Sequence, residues 1–270
     1  MGLLEILQLE MTEPTLYGWF HLMFFGIIGL LGFLIIWKFR KSSESTYRKI
    51  VLISWLLMLI FELYKQFVFS YDIENAKIVW DYDFVGLPYQ FCSTPLYLFP
   101  FLVFMKNCKF RDGVIVYTST FSLFAGIAVM FYPDTVFIET IGINIQTMVH
   151  HGLQIVIGLF TLIYYKDKIN NKSFIYACLV FIMMISVAII GNEIGYAIFN
   201  KYNIDDTFNL FYISRHYDCV IVILSSIQEN VPYIVFLLTY FIGFSVIAFI
   251  FYIVEKAIIN KSKRTLNQGI

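Results

Sequence analysis

Apolar runs of about twenty residues recur along this chain, each closed by a polar link. A run of that length lets an α-helix cross a ~30 Å hydrocarbon core. The pattern predicts seven helices, over 17–37, 50–69, 87–105, 114–132, 145–165, 174–199 and 231–254. Most links are short, so consecutive helices are expected to be antiparallel neighbours. The fold class read from the pattern is all-α, a polytopic membrane helix bundle. It divides into an N-terminal tail over 1–16, a single bundle over 17–256 and a C-terminal tail over 257–270. The start, MGLLEILQLEMTEPT, lacks the basic opening of a cleaved signal peptide. Its Leu3, Leu4, Leu7 and Met11 suit a short amphipathic turn in the interface. Residues 207–230 break the pattern: an apolar run too short to span ends in Ser225, Ser226, Gln228, Glu229 and Asn230. That stretch reads as a re-entrant or interfacial helix, since polar backbone at membrane depth survives only inside protein or beside water.

Composition agrees. Hydrophobic residues make up 59% of the chain and charged ones only 14%, against about a quarter in soluble domains. Net charge is zero, so bulk charge points to no partner class. No basic, aromatic-interleaved patch suggests nucleic acid, and no Gly-rich loop suggests a phosphate cradle.

The distribution of charge carries more. Fifteen lysines and arginines fall in the links 38–49, 106–113 and 166–173 and from Lys256 onward, against Lys77, Lys201 and Arg215 on the other side. That other side holds Glu13, Asp72, Glu74, Asp81, Asp83, Asp134, Asp205 and Asp206. By the positive-inside rule the N-terminus is expected outside and the C-terminus inside. With this orientation, polar residues of six helices fall in the outer half: His21, Glu62 with Lys65 and Gln66, Cys92, His150 with His151, Asn192 with Glu193, and Glu229. Intramembrane ionisable groups are costly unless they face the bundle interior, pair or reach water. One polar cavity open to the outer face is therefore expected, with almost no polar groups in the inner half.

Helical spacing sharpens this. Gln146, Thr147, His150 and Gln154 form one polar stripe, while His151 points about 100° away. The stretch GNEIGY supplies Asn192, Glu193 and Tyr196 between Gly191 and Gly195. In LPYQFCSTPLYLFP, Pro88 suits a first helical turn, whereas Pro95 and Pro100 each remove an intrahelical bond. Pro95 is expected to free the carbonyl of Phe91 and open room beside the Cys92 sulfur.

A cysteine attacks as its thiolate, which needs a base or positive charge nearby. His150 can take the thiol proton, with Glu193 or Glu62 orienting the ring. Blander readings use the same residues: a packing kink at the prolines, Cys92 as an apolar filler, His150 as an interhelical clamp, and a Cys92–Cys219 disulfide. The four cysteines lack paired metal-ligand spacing, and adjacent histidines on a helix diverge, so neither metal nor cofactor is expected.

The run Leu87-Pro88-Tyr89-Gln90-Phe91-Cys92, taken with His150-His151-Gly152, resembles the YwaF-type bacterial membrane proteins and their eukaryotic relative, transmembrane protein 164. The resemblance covers roughly residues 15–255. It implies transfer of a fatty acyl chain between glycerophospholipids by a Cys/His pair, in a multi-pass protein of the bacterial plasma membrane. Cys92 matches the acyl-accepting nucleophile and His150 the histidine, with His151 one residue away. A phospholipid donor and a lysophospholipid acceptor follow as partners. Glu193, Asn192, Glu62, His151, Gln154, Tyr196 and Glu229 are supporting or substrate-binding candidates from depth and spacing. Two other functions fit an outward cavity: a lipid hydrolase, if water accepts the acyl chain, and a transporter or solute-binding subunit. A transporter is expected to carry inverted repeats and midplane polar groups, and the sequence displays neither.

Overall fold

The structure is a computed structural model and describes residues 3–74, 77–133 and 136–268. Asp134, counted among the acidic residues above, lies outside the described residues. A single turn, α1 (Leu3–Leu7), precedes α2 (Trp19–Phe39) and α3 (Glu44–Val68). A short hairpin of β1 (Tyr71–Glu74) and β2 (Lys77–Trp80) pairs Tyr71 with Trp80, a pair of strands not foreseen from the sequence. Then come α4 (Thr94–Phe104), α5 (Lys109–Tyr117), α6 (Leu123–Phe131), α7 (Ile141–Tyr164), α8 (Asn171–Tyr202), α9 (Val222–Asn230) and α10 (Tyr233–Gln268). The last helix thus runs on through much of the expected C-terminal tail.

Among the described residues, six helices are long and apolar enough to cross a membrane, α5 and α6 counting as one. The expected seventh, over 87–105, is shorter: it begins with a 3₁₀ turn at Phe91–Ser93 and continues as α4. The reason is proline placement. Pro95, not Pro88, occupies the first α turn, where a missing N–H costs nothing. Residues 87–90 stay non-helical and pack against another irregular stretch: Phe211 N–H donates to the Tyr89 carbonyl (3.1 Å) and the Gln90 amide to that of Asn209 (3.0 Å). Polar backbone below a helix end is tolerated when its groups satisfy one another in this way.

The short element still joins the two ends of the bundle. At one end Arg48 donates to the carbonyls of Val103 (2.6 Å) and Met105 (3.0 Å), buried Arg111 pairs with Glu44 (3.1 Å), and Lys168 pairs with Asp112 (2.9 Å). The basic links therefore gather together. At the opposite end Tyr64 donates to Leu7 (2.6 Å), Met11 to Glu139 (2.6 Å) and Tyr17 to Phe131 (3.1 Å). Seven passes, six long and one short, connect these ends.

The core centres on α5 to α7, while α2, α3, α8 and α10 turn broad apolar faces outward. Gly126 lets α6 lie directly on α7, since a Cβ there would meet the His151 carbonyl at 2.7 Å. Between α5 and α6 the helix widens into a π turn over Thr118–Ser122, a feature that inserts an extra residue into a helical turn. Ser119 in that turn donates to the buried Glu255 (3.3 Å). The basic half of the bundle is thus less apolar than expected from the sequence, because Ser and Thr hydroxyls satisfy groups within helices that read as purely apolar.

Candidate functional site

Cys92 lies in the first turn of the Phe91–Phe104 helix. A helix start leaves N–H groups without intrahelical partners, and its dipole favours negative charge there. Pro95 has no N–H to offer either Phe91 or Cys92. The Phe91 carbonyl is not left free: the Thr94 backbone and its hydroxyl (2.9 Å) both donate to it. It is the Cys92 carbonyl that turns to α7, accepting from His150 Nε2 (3.1 Å) and from the Gln154 amide.

That contact fixes the tautomer. A carbonyl can only accept, so Nε2 of His150 carries the hydrogen and, in the neutral ring, Nδ1 is the basic nitrogen. Nδ1 is buried without a hydrogen-bond partner. His151 has the opposite arrangement: its Nδ1 donates to the Thr147 carbonyl (2.7 Å), leaving Nε2 buried and unpaired. Both rings are buried, with centroids 5.2 Å apart; only His150 bonds to the Cys92 residue. All four cysteines are free, so Cys92 and Cys219 form no disulfide.

Cys92 also lines a cavity of about 710 Å³, within the range of small-molecule sites. Phe124, Ala125, Ala128 and Val129 of α6 form one wall, and Tyr240 and Phe244 of α10 the other. Gln90, Asn209 and Asp218 supply the polar rim. Asn209 and Asp218 belong to a strap over 207–221 that several side chains pin in place, and Gln90 bonds to it. Asn192 accepts from Leu210 N–H (2.7 Å) and donates to its carbonyl (3.1 Å). Gln228 holds the Cys219 N–H and the Ser214 and Tyr217 carbonyls. Phe211 and Tyr212 both adopt φ of 56°, a left-handed backbone costing about 1–3 kcal/mol per residue unless its surroundings enforce it.

The polar residues expected to share one cavity separate into distinct groups. Glu62 is buried against Lys65 (2.8 Å), Gln66 (2.8 Å) and Gln146 (3.2 Å). Gln66 in turn donates to Gly86 (2.7 Å) and accepts from Tyr82. Burial, reinforced by the Glu62 and Asp83 carboxylates, pushes Tyr82 up to about 12, so its phenol keeps the proton it donates. This closed network lies near enough for Lys65 to act electrostatically on Cys92 and His150.

Glu193 does not orient His150. It pairs with Arg215 (2.7 Å) and His216 (3.3 Å) at the surface, and Tyr196 stacks on His216 at 3.5 Å. One helical residue is 100°: with Asn192 turned to the buried Leu210 backbone, Glu193 reaches only the surface part of the same strap. Glu229 is exposed at the end of α9. His21 is a buried clamp, bonded to the Met130 carbonyl (2.7 Å) and the Tyr17 N–H (3.0 Å). Among the described residues no carboxylate takes the orienting role assigned to Glu193 or Glu62; the Cys92 carbonyl itself holds the imidazole. His216 and Tyr240 were not singled out from sequence. His216 sits in an irregular stretch with no helical period, and Tyr240 is one aromatic among many.

Among the described residues no group of His, Cys, Asp or Glu is arranged to hold a metal ion. No curated protein and no solved structure matches the chain. A family model described as the TMEM164 family matches residues 16–256, nearly the whole helical bundle and every group of the candidate site, and the chain belongs to that family.

Proposed function

We propose that this multi-pass membrane protein is an acyltransferase that moves a fatty acyl chain between glycerophospholipids through a thioester on Cys92. One observation carries the reading: Cys92 belongs to both the apolar cavity and the histidine helix, lining the first and bonding through its carbonyl to the second. In this mechanism His150 Nδ1 takes the thiol proton and the sulfur attacks a phospholipid ester carbonyl. The carbonyl π pair moves to oxygen, and the tetrahedral intermediate collapses to the thioester. The departing lysolipid oxygen receives the proton from His150. A second lysolipid hydroxyl, deprotonated by the same nitrogen, then takes the acyl chain and releases Cys92. This is the nucleophile-and-base logic of covalent acyl transfer.

The surroundings support a lipid substrate. The cavity is mostly apolar and one of its walls, α10, turns a broad apolar face outward, so an acyl chain can enter sideways while the ester stays at the polar rim. With the N-terminus outside, as the charge bias expects, the site lies in the outer half of the membrane. The Glu62–Lys65 pair is already closed by Gln66 and Gln146, which suits an electrostatic and structural role better than solute transport.

Intact-protein mass spectrometry after incubation with a defined phospholipid tests the proposal. An acyl-sized adduct that vanishes in Cys92→Ala is expected, followed by transfer to added lysophospholipid. Release of free fatty acid instead identifies water as the acceptor. No adduct and no product with several lipid classes overturns the reading in favour of solute binding.

A further inference from the structure

The wall of the cavity holds a polar group that the chain leaves without a partner. Tyr240 is 1% exposed, and its hydroxyl makes no hydrogen bond to the protein. A buried hydroxyl in that condition has given up its bond to water for nothing. Phenylalanine would fill the space at no such cost, so stability does not explain the tyrosine.

Its position suggests what does. Tyr240 shares the cavity wall with Cys92 and Tyr212. Three nearby donors are engaged elsewhere: Tyr117 donates to Thr94 (3.2 Å), and His150 Nε2 and Gln154 to the Cys92 carbonyl. The Tyr240 ring is fixed by Phe244 at 4.6 Å and by Phe181 and Phe236 at 6.3 and 6.4 Å. A rigid O–H donor, shielded from water beside a candidate nucleophile, is what stabilises charge forming on a carbonyl oxygen.

We propose that Tyr240 is a catalytic hydrogen-bond donor to the ester carbonyl oxygen of the lipid. The inference rests on the acyl-transfer reading. As the Cys92 sulfur bonds to the carbonyl carbon and His150 receives the thiol proton, the π pair moves onto oxygen and the Tyr240 O–H donates to it. No proton leaves the phenol. When the carbonyl re-forms, the carbon–oxygen bond to the lysolipid breaks, the His150 proton goes to the leaving oxygen, and Tyr240 returns to its starting state.

Single-turnover acylation of Cys92, followed by intact mass in full-length wild type and Tyr240→Phe, tests this with two donors: a phospholipid ester and its thionoester analogue, whose sulfur accepts hydrogen bonds poorly. Tyr240→Phe is expected to acylate ~10²–10³-fold more slowly, the range for one lost oxyanion donor. Its melting temperature should match or exceed that of wild type. The wild-type preference for ester over thionoester should shrink in the variant. Equal acylation rates, or a slower variant that keeps the full preference, overturn the role of Tyr240 while leaving Cys92 chemistry standing. Failure of wild type itself to acylate overturns the acyl-transfer reading and this one with it.

Discussion

His150 and Cys92 meet through the backbone: the imidazole Nε2 lies 3.1 Å from the Cys92 carbonyl oxygen, and the same oxygen accepts from Gln154. The pairing therefore does not depend on the sulfur. Cys92→Ala should keep a near-wild-type melting temperature and lose acyl transfer entirely. His150→Ala removes the base as well as a backbone partner. A ~10²–10⁴-fold slower adduct formation and a stability loss of about 0.5–1.5 kcal/mol are expected, read by mass spectrometry and thermal unfolding. Cys108→Ala and Cys178→Ala should be silent, since Cys108 is exposed at the basic end and neither lines the cavity.

The helices were legible because apolar runs of span length have few other solutions, and the meeting of Cys92 with His150 and Gln154 because membrane depth sets the polar stripe of one helix level with the start of another. The missed features depend on a single residue or on tertiary contact. The start of α4 shifts by about two turns because Pro95 rather than Pro88 opens it. Asn192 and Glu193 looked like one site, but they meet different parts of the strap: Asn192 holds the buried Leu210 backbone, and Glu193 pairs with Arg215 and His216 at the surface. The widened turn at Thr118–Ser122 and the left-handed Phe211 and Tyr212 have no pattern of their own. Neighbouring elements impose them.

Buried Glu62 pairs with half-buried Lys65 and accepts from two glutamine amides. Removing one partner of a buried pair leaves the other charge uncompensated, at about 3–5 kcal/mol. Glu62→Ala should lower the melting temperature sharply. The double substitution Glu62→Ala with Lys65→Met should recover part of the loss, because no lone charge remains. Thermal unfolding of the three variants in one detergent measures the coupling; equal destabilisation by single and double variants would count against it.

Asn192 and Glu193 should behave oppositely. Asn192→Ala strips both side-chain bonds from Leu210 and leaves its buried N–H and carbonyl unsatisfied, a loss of about 1–3 kcal/mol. Hydrogen exchange over 207–221 should rise, and acyl transfer should fall as the rim loosens. Glu193→Gln alters only a surface pair with Arg215 and His216, typically worth under about 1 kcal/mol. Its exchange pattern and activity should match wild type.

Orientation decides which half of the membrane holds the site. Cys108 is exposed among the basic links, and Lys201 is exposed at the opposite end. An impermeant maleimide applied to intact cells should label Lys201→Cys and reach Cys108 only after permeabilisation. The reverse result would place Cys92 toward the cytoplasmic side.

Ala128 lies on the cavity wall yet is exposed, so a larger side chain there meets open space rather than packed core. Ala128→Phe should therefore leave the melting temperature almost unchanged while narrowing the passage between α6 and α10. Long acyl chains must thread that passage, whereas short ones need only its first part. The expected outcome is a fall in kcat/KM for long-chain donors of about tenfold or more, the scale on which apolar pockets discriminate by size, with short-chain donors barely affected. Competition between a long-chain and a short-chain phospholipid in one reaction reads the ratio directly. A uniform loss for both would mean that Ala128 shapes Cys92 rather than the chain, and an unchanged ratio would move the acyl path away from α6.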